Sequence, residues 1–398
     1  MSRVKSKLEF VLDERRWAVK RISRFLAALV ALFSSLSFAQ IDKIVIPAGT
    51  PEDQALQEIS KETDSQKKVA LYQDFVQKFS GNPAAVAYGN WQVSQEYQAA
   101  GDLPKALEYG DKALVGSPRD LDILVSQAGI AQQLKNDAKI MDYAEKGGQL
   151  YESIAKQPKP EGISDQDFAV RVAADQEAAK SGHDFLDGVG FNAIADEKDA
   201  KMRMAYIERF AAAFPNSHYQ EQVSQYAMFT LGPGQLNDSA RLIAFGEKSL
   251  QSNPNSLPAL LMLSNVYVED AKPANVAKAA TYAQRVITLA KAEAPDADKS
   301  RKLSAGVAHS TLGYAYMKQD KTAAAIPEFK SASALLKGQD DVAYATAMYR
   351  LGFAYAKLNR RAEAKEVLVQ VVSIHGPLQQ PAQELLDKVE TPTRAKAK

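Results

Sequence analysis

The stretch Ile59–Phe79, ISKETDSQKKVALYQDFVQKF, returns as Ile194–Phe214, IADEKDAKMRMAYIERFAAAF, and the return decides the fold. Asp64, Ala70, Phe75 and Phe79 recur as Asp199, Ala205, Phe210 and Phe214, each 135 residues later (199 − 64). Downstream, Tyr109-Gly-Asp-Lys-Ala-Leu-Val-Gly-Ser-Pro118 matches Phe245-Gly-Glu-Lys-Ser-Leu-Gln-Ser-Asn-Pro254 at an offset of 136 (246 − 110), so one inserted residue separates the two echoes. A duplicated run of amphipathic helices is how a chain extends a stacked array, in which each unit buries its apolar face against its neighbours only. The 398 residues suit two or three compact domains or one elongated array, and the Ala-rich composition with few β-branched alternations favours helices in either case.

Helix boundaries are written into the chain. Thr50-Pro51-Glu52-Asp53 supplies an N-cap hydroxyl, a proline at the first helical position and acids near the positive end of the helix dipole. Ser164-Asp165-Gln166-Asp167 resembles a capping box and opens another helix. Between them, Lys156-Gln-Pro-Lys-Pro-Glu-Gly162 cannot stay helical, because its prolines remove donors and clash with the preceding turn. Gly188-Val-Gly190 and Gly232-Pro-Gly234 read as turns between helices; no strand precedes the first, and it lacks the third glycine that a phosphate-cradling loop requires.

The N-terminus reads differently. Arg15, Arg16, Lys20, Arg21 and Arg24 precede the uncharged segment Phe25–Leu36, and Ser37-Phe38-Ala39 offers a small-x-small site before Gln40. That order predicts a secretory signal peptide over residues 1–39, with an apolar core shorter than the roughly 20 residues of a membrane span. The alternative is an uncleaved anchor that tethers the chain to the membrane. Without residues 1–39 the chain carries 41 basic and 45 acidic groups, a net of −4, which argues against nucleic acid as partner. The basic tail at 391–398 (Arg394, Lys396, Lys398) reads as a solvated, disordered end. There is no cysteine, hence neither a disulfide framework nor a lipidated N-terminal cysteine.

A more specific pattern lies near the C-terminus. Leu351-Gly352, Tyr355, Ala364, Leu368 and Val371 repeat the spacing of Leu312-Gly313, Tyr316, Ala325, Phe329 and Ala332, 39 residues apart (352 − 313). Glycine at 313 and 352 lets the two helices of a hairpin approach closely, with the small Ala325 and Ala364 answering from the second helix. These residues resemble the tetratricopeptide repeat. The segment 87–118 shares the resemblance through Tyr97, Gly101-Asp102, Ala106, Ala113 and Pro118, and the segment from Leu257 shares it in part through Leu263-Ser264, Tyr267 and Tyr282-Ala283. Gly110 and Gly246 depart from the pattern where a large residue is usual, as do Asn90 and His309 where an aromatic is usual.

The resemblance implies an all-α, right-handed superhelical solenoid of tetratricopeptide-like hairpins over most of residues 50–390. It divides into a first unit at 52–183, its duplicate at 191–319 and further C-terminal hairpins at 320–390. The resemblance also implies that ligands lie on the first helix of each hairpin, along the concave side. Transferred position by position, the partner-binding residues are Trp91, Gln95 and Gln98 in one hairpin, Tyr314 and Lys318 in another, and Tyr349, Phe353 and Lys357 in the last. Aromatic residues at these positions serve equally well as core.

Catalytic and metal chemistry find no support in the residues. His183, His218, His309 and His375 are scattered without ligand spacing and read as surface or helix-end residues, and the carboxylates alternate with Lys and Arg as on solvated helix faces. The expectation is a non-catalytic scaffold with neither cofactor nor metal, exported to the periplasm or secreted, holding a protein or peptide segment. A membrane-anchored scaffold, and an enzyme whose active site carries no motif, stand as alternatives.

Overall fold

The computed structural model describes residues 43–270 and 272–391; the signal-peptide segment 1–39 and nearly all of the 391–398 tail lie outside them. The described residues form α-helices joined by short turns, with no strand among them. The chain divides into two compact units, one running to Gly190 and including Ala212–Phe214, the other comprising Phe191–Ala211 and the chain from Pro215 onward.

In the first unit, α1 (Pro51–Ile59), α2 (Ser65–Lys78), α3 (Pro83–Ala99), α4 (Leu103–Gly116), α5 (Leu121–Gln133) and α6 (Asp137–Ile154) follow one another as antiparallel neighbours. A long helix, α7 (Asp165–Asp196), leads out of this unit, and α8 (Ala200–Ala213) comes next. The second unit continues with α9 (Gln220–Leu231), α10 (Ser239–Ser252), α11 (Leu257–Glu269), α12 (Pro273–Ala290), α13 (Lys299–Lys318), α14 (Thr322–Leu336), α15 (Asp341–Lys357), α16 (Arg361–Val372) and α17 (Gln379–Glu390).

The sequence echo is a structural one. Helices α2 and α8 begin and end 135 residues apart, and α4, α5 and α6 match α10, α11 and α12 at both ends with an offset of 136. The caps repeat as well. Asp64 accepts from the backbone N–H of Lys67 at 2.9 Å and Asp199 from that of Met202 at 2.8 Å. Asp102 and Asp238 cap α4 and α10, and Asp120 and Ser256 cap α5 and α11. Each satisfies donors that a helix N-terminus otherwise leaves unpaired, a contribution of about 1 kcal/mol per cap. The turn before α4 needs a left-handed residue and has Gly101 at φ 80°; its counterpart before α10 is Asn237 at φ 53°, the residue type that tolerates this region best after glycine.

Where the copies differ, the packing shows why. Gly110 on α4 faces Gln127 on α5, and Gly246 on α10 faces Leu263 on α11, so the large residue that the tetratricopeptide pattern places on the second helix is supplied from the following one. A Cβ at either glycine would fall within about van der Waals overlap of that side chain, 1.7 Å from Gln127 Nε2 or 2.7 Å from Leu263 Cγ. Helix α9 ends at Leu231, four residues before the point that matches the end of α3, because Gly232-Pro-Gly234 turns the chain there as its sequence predicts.

Two other boundary expectations divide. Thr50 and Ser164 cap α1 and α7 with bonds of 3.2 Å and 3.0 Å from the N–H groups of Asp53 and Asp167, and the proline-rich 156–162 segment is non-helical. Gly188-Val-Gly190, expected to be a turn, lies inside the 32-residue α7. Two glycines cost a helix about 1 kcal/mol each relative to alanine. Leu186, Val189, Ala193 and Ile194 are nevertheless all buried at helical spacing around them, and burial of that face outweighs the propensity loss.

The C-terminal hairpins are built on the two close approaches that the repeat pattern predicts. A Cβ on Gly313 would stand 2.6 Å from the Phe329 ring, and one on Gly352 would stand 2.7 Å from Leu368. Phe329 and Leu368 are fully buried, with Ala325, Ala364 and Val371 beside them in one core that reaches Leu386 of α17.

Candidate functional site

Five of the eight residues expected to contact a partner sit in the second unit, and three of them share one pocket. Tyr314 projects from α13 and Tyr349 and Phe353 from α15 into a cavity of about 450 Å³, lined also by Met317, Thr346, Arg350 and the Pro377-Leu378 turn that leads into α17. The helix period explains the convergence. Residues 346, 349, 350 and 353 form one stripe of α15, while Ala345, Met348, Gly352 and Tyr355 form the opposite stripe and are buried in the core. Phe353 is 43% exposed, whereas Tyr314 and Tyr349 are half-buried.

Arg350 was not anticipated and dominates the electrostatics. Its guanidinium lies 4.4 Å from the centre of the Tyr314 ring, a stacked cation–π contact. Its Nη1 donates to the Ser310 backbone oxygen at 3.3 Å and to Ser310 Oγ at 3.1 Å, while Nη2 approaches Glu269 Oε1 no closer than 3.8 Å. Burial lowers the pKa of Arg350, with Glu269 and Tyr314 opposing. Burial likewise raises Tyr314, Glu269 adds to that, and Arg350 counters it. The i, i+4 step from Thr346 to Arg350, parallel to that from Tyr349 to Phe353, is the sequence signal that marks Arg350 as a member of this face.

The two expected lysines stand at its margin. Lys318 lies 5.1 Å from the Tyr314 ring centre, and Lys357 pairs with Asp320 at 3.3 Å on open surface. In the first unit, Gln95 donates to Ser126 Oγ at 3.2 Å and Gln98 is half-buried. Trp91 is half-buried too, and its indole N–H is buried without a hydrogen-bond partner among the described residues. Tyr355, on the packed stripe of α15, is 4% exposed, while Tyr97, on the matching stripe of α3, is only half-buried, 5.6 Å from Tyr109 and beneath Lys105.

Two polar clusters elsewhere are braces in the array. Asp111 of α4 binds Lys139 and Tyr143 of α6 at 2.7 Å and 2.6 Å. Its counterpart Glu247 binds Lys278 at 2.7 Å, Tyr282 at 3.1 Å and Tyr267 at 2.9 Å. In the second copy the lysine and tyrosine stand one helical turn further along α12 than in α6. Burial alone would favour a neutral Lys278, but the Glu247 carboxylate and Tyr267 hydroxyl outweigh it and raise its pKa, leaving an ammonium without nucleophilic character. His309 pairs with Glu328 across α13 and α14 at 2.7 Å, and His183 packs 4.0 Å from Tyr151, so neither is the surface histidine its sequence context suggests.

No family model and no curated protein matches the chain. Among solved structures it is similar to a tetratricopeptide repeat protein from Parabacteroides merdae, at 12% identity over 80% of this chain and 99% of that one with a TM-score of 0.33. It is similar to the P58(IPK) TPR domain, at 12% identity over 86% and 98% with a TM-score of 0.29, and to yeast Tom70, at 12% over 85% and 94% with a TM-score of 0.20.

Proposed function

We propose that the chain is a non-catalytic scaffold, exported from the cytoplasm, that holds a protein or peptide segment on the outward stripes of its hairpins. The observation that carries this reading is the division of α15 into two aromatic-bearing stripes. Tyr355 serves the core and Tyr349 packs against its edge, whereas Phe353 is 43% exposed and lies outside that core. Exposed aromatic residues beside a partly desolvated arginine are the side chains that dominate interface energetics. The half-buried ring of Trp91 supports a second contact in the first unit, tryptophan being a frequent interface anchor.

A photo-cross-linking residue at 353 tests the binding face, with Val369, 49% exposed on α16, as the comparison position. A discrete cross-linked partner from 353 that is absent from 369 and lost on Tyr349→Ala supports the reading. Identical products from both positions would remove it. Export rests on the order of charge, apolar core and cleavage site in residues 1–39. N-terminal sequencing of the cellular protein should begin at Gln40; a chain retaining Phe25–Leu36 in the membrane fraction would replace a free scaffold with an anchored one.

A further inference from the structure

The pocket between α13, α15 and the turn before α17 has features that a flat protein-docking face does not need. Its volume, about 450 Å³, lies in the range of small-molecule sites, and its lining is mostly apolar with few polar groups. Pro377 and Leu378, from the turn before α17, join the helix residues in its lining. The one charged residue in its lining is Arg350, whose guanidinium is oriented by Ser310 and by stacking on Tyr314. Among the described residues Arg350 makes no hydrogen bond through Nη2 or Nε; the nearest carboxylate, that of the largely exposed Glu269, stops at 3.8 Å, beyond bonding distance.

A guanidinium held in this way is a fork of donors awaiting a planar anion. Phosphate, with its larger charge and three strong acceptors, would need more than one cation and little apolar surface. The surroundings are the reverse: one cation and the faces of Tyr314, Tyr349 and Phe353. We infer that this pocket binds a small carboxylic acid with an apolar or aromatic body, its carboxylate on Arg350 and its body between Tyr349 and Phe353. The acid would occupy Tyr349 and Phe353, the same residues that carry the proposed partner face, so the two ligands would exclude one another there. Glu269 then acts as a competitor: its charge offsets Arg350 when the pocket is empty and is displaced or repelled when the acid enters.

The test uses the full chain and 4-phenylbutyrate, with 4-phenylbutyramide and acetate as the neutral and the bodiless comparisons, by isothermal titration. Phenylbutyrate is expected to bind saturably at one site, and both comparisons about tenfold or more weaker, since each lacks half of the recognition. Arg350→Gln should bring the acid down to the amide's affinity. Glu269→Gln should tighten the acid several-fold and leave the amide unchanged, a response that an apolar cavity alone would not give. Equal binding of acid and amide, or no saturable binding of the acid, overturns the inference. So does a tripeptide ending in phenylalanine that binds about tenfold tighter than the acid, because the pocket would then be a seat for a chain end. If Arg350→Gln fails to fold, the comparison of acid with amide on the unaltered chain, together with Glu269→Gln, still decides.

Discussion

Replacing Gly313 by alanine and Gly129 by alanine is the same chemical change in two helix interiors, yet the packing predicts opposite signs. On Gly313 of α13 the new methyl would meet the Phe329 ring at 2.6, 2.8 and 3.0 Å. Ordinary carbon contacts are about 3.5–4.0 Å, so the ring must retreat by close to 1 Å. It has nowhere to go, because Phe329 is fully buried in a core that includes Met317, Ile326 and Met348. Overpacking of this kind costs about 1–3 kcal/mol, against about 1 kcal/mol gained when alanine replaces a helical glycine, leaving a net loss of up to about 2 kcal/mol. On Gly129 of α5 the nearest atom to the new methyl is Phe185 Cζ at 3.9 Å, an ordinary contact. There the helix gain stands alone, about 0.5–1 kcal/mol of stabilisation. An array unfolds locally, so native-state hydrogen exchange suits it better than a single melting temperature. Amides of α13 and α14 should exchange faster in Gly313→Ala, and those of α5 slower in Gly129→Ala. Changes of the same sign in both variants would refute the argument that Gly313 exists for close approach.

Gly352→Leu should destabilise the last hairpin by about 1–3 kcal/mol or more through Leu368, while Lys357→Ala, which removes only the exposed pair with Asp320, should cost under about 1 kcal/mol in urea unfolding; equal costs would show the helix face to be misassigned. Tyr355→Ala should cost about 3–5 kcal/mol as a core truncation, and Trp91→Ala distinctly less, with helicity by circular dichroism preserved; a Trp91 variant as damaged as the Tyr355 one would place the indole in the core. Burial opposes ionisation of Glu247, but Lys278 and the Tyr267 and Tyr282 hydroxyls outweigh it and depress its pKa in the folded chain. Its contribution is therefore complete above the unfolded-state pKa and is lost as pH falls through the depressed one, so wild type should exceed Glu247→Gln in stability near neutrality and converge with it in acid. A gap that stays constant with pH would mean that Glu247 acts by shape and not by charge.

What the sequence revealed of the fold is what repeats in it: caps, close-packing glycines and the offset between copies are local chemistry, and each leaves a residue that can be read directly. Asp64, Asp102 and Asp120, with their counterparts at 199, 238 and 256, announce helix starts without any knowledge of the partners of those helices. Gly188 and Gly190 misled because glycine marks both a turn and a helix that something else stabilises, and the stabilising burial of Leu186, Val189, Ala193 and Ile194 depends on tertiary packing. The site was legible in the same proportion. Tyr314, Tyr349 and Phe353 follow from helix periodicity once one register is known. Arg350 follows from the same periodicity on α15, whereas Pro377 and Leu378 do not, because their approach depends on how the chain turns into α17.

That pocket lies outside the part of the chain whose helices match between the two copies. Helices α2, α4, α5 and α6 keep their lengths in α8, α10, α11 and α12, and even the acid–lysine–tyrosine brace survives although its lysine and tyrosine have moved by a turn. Helices α13 to α17 lie beyond the last matched pair. Their residues have no counterpart constrained to the same packing, and it is there that Arg350 is desolvated between Ser310 and Tyr314 and that a turn joins the lining of a cavity. A half-buried cation with unfilled donors carries a desolvation cost that its stacked ring and its two bonds to Ser310 offset only in part. Methionine or leucine at 350 would avoid that cost, and the proposed ligand is what would offset it.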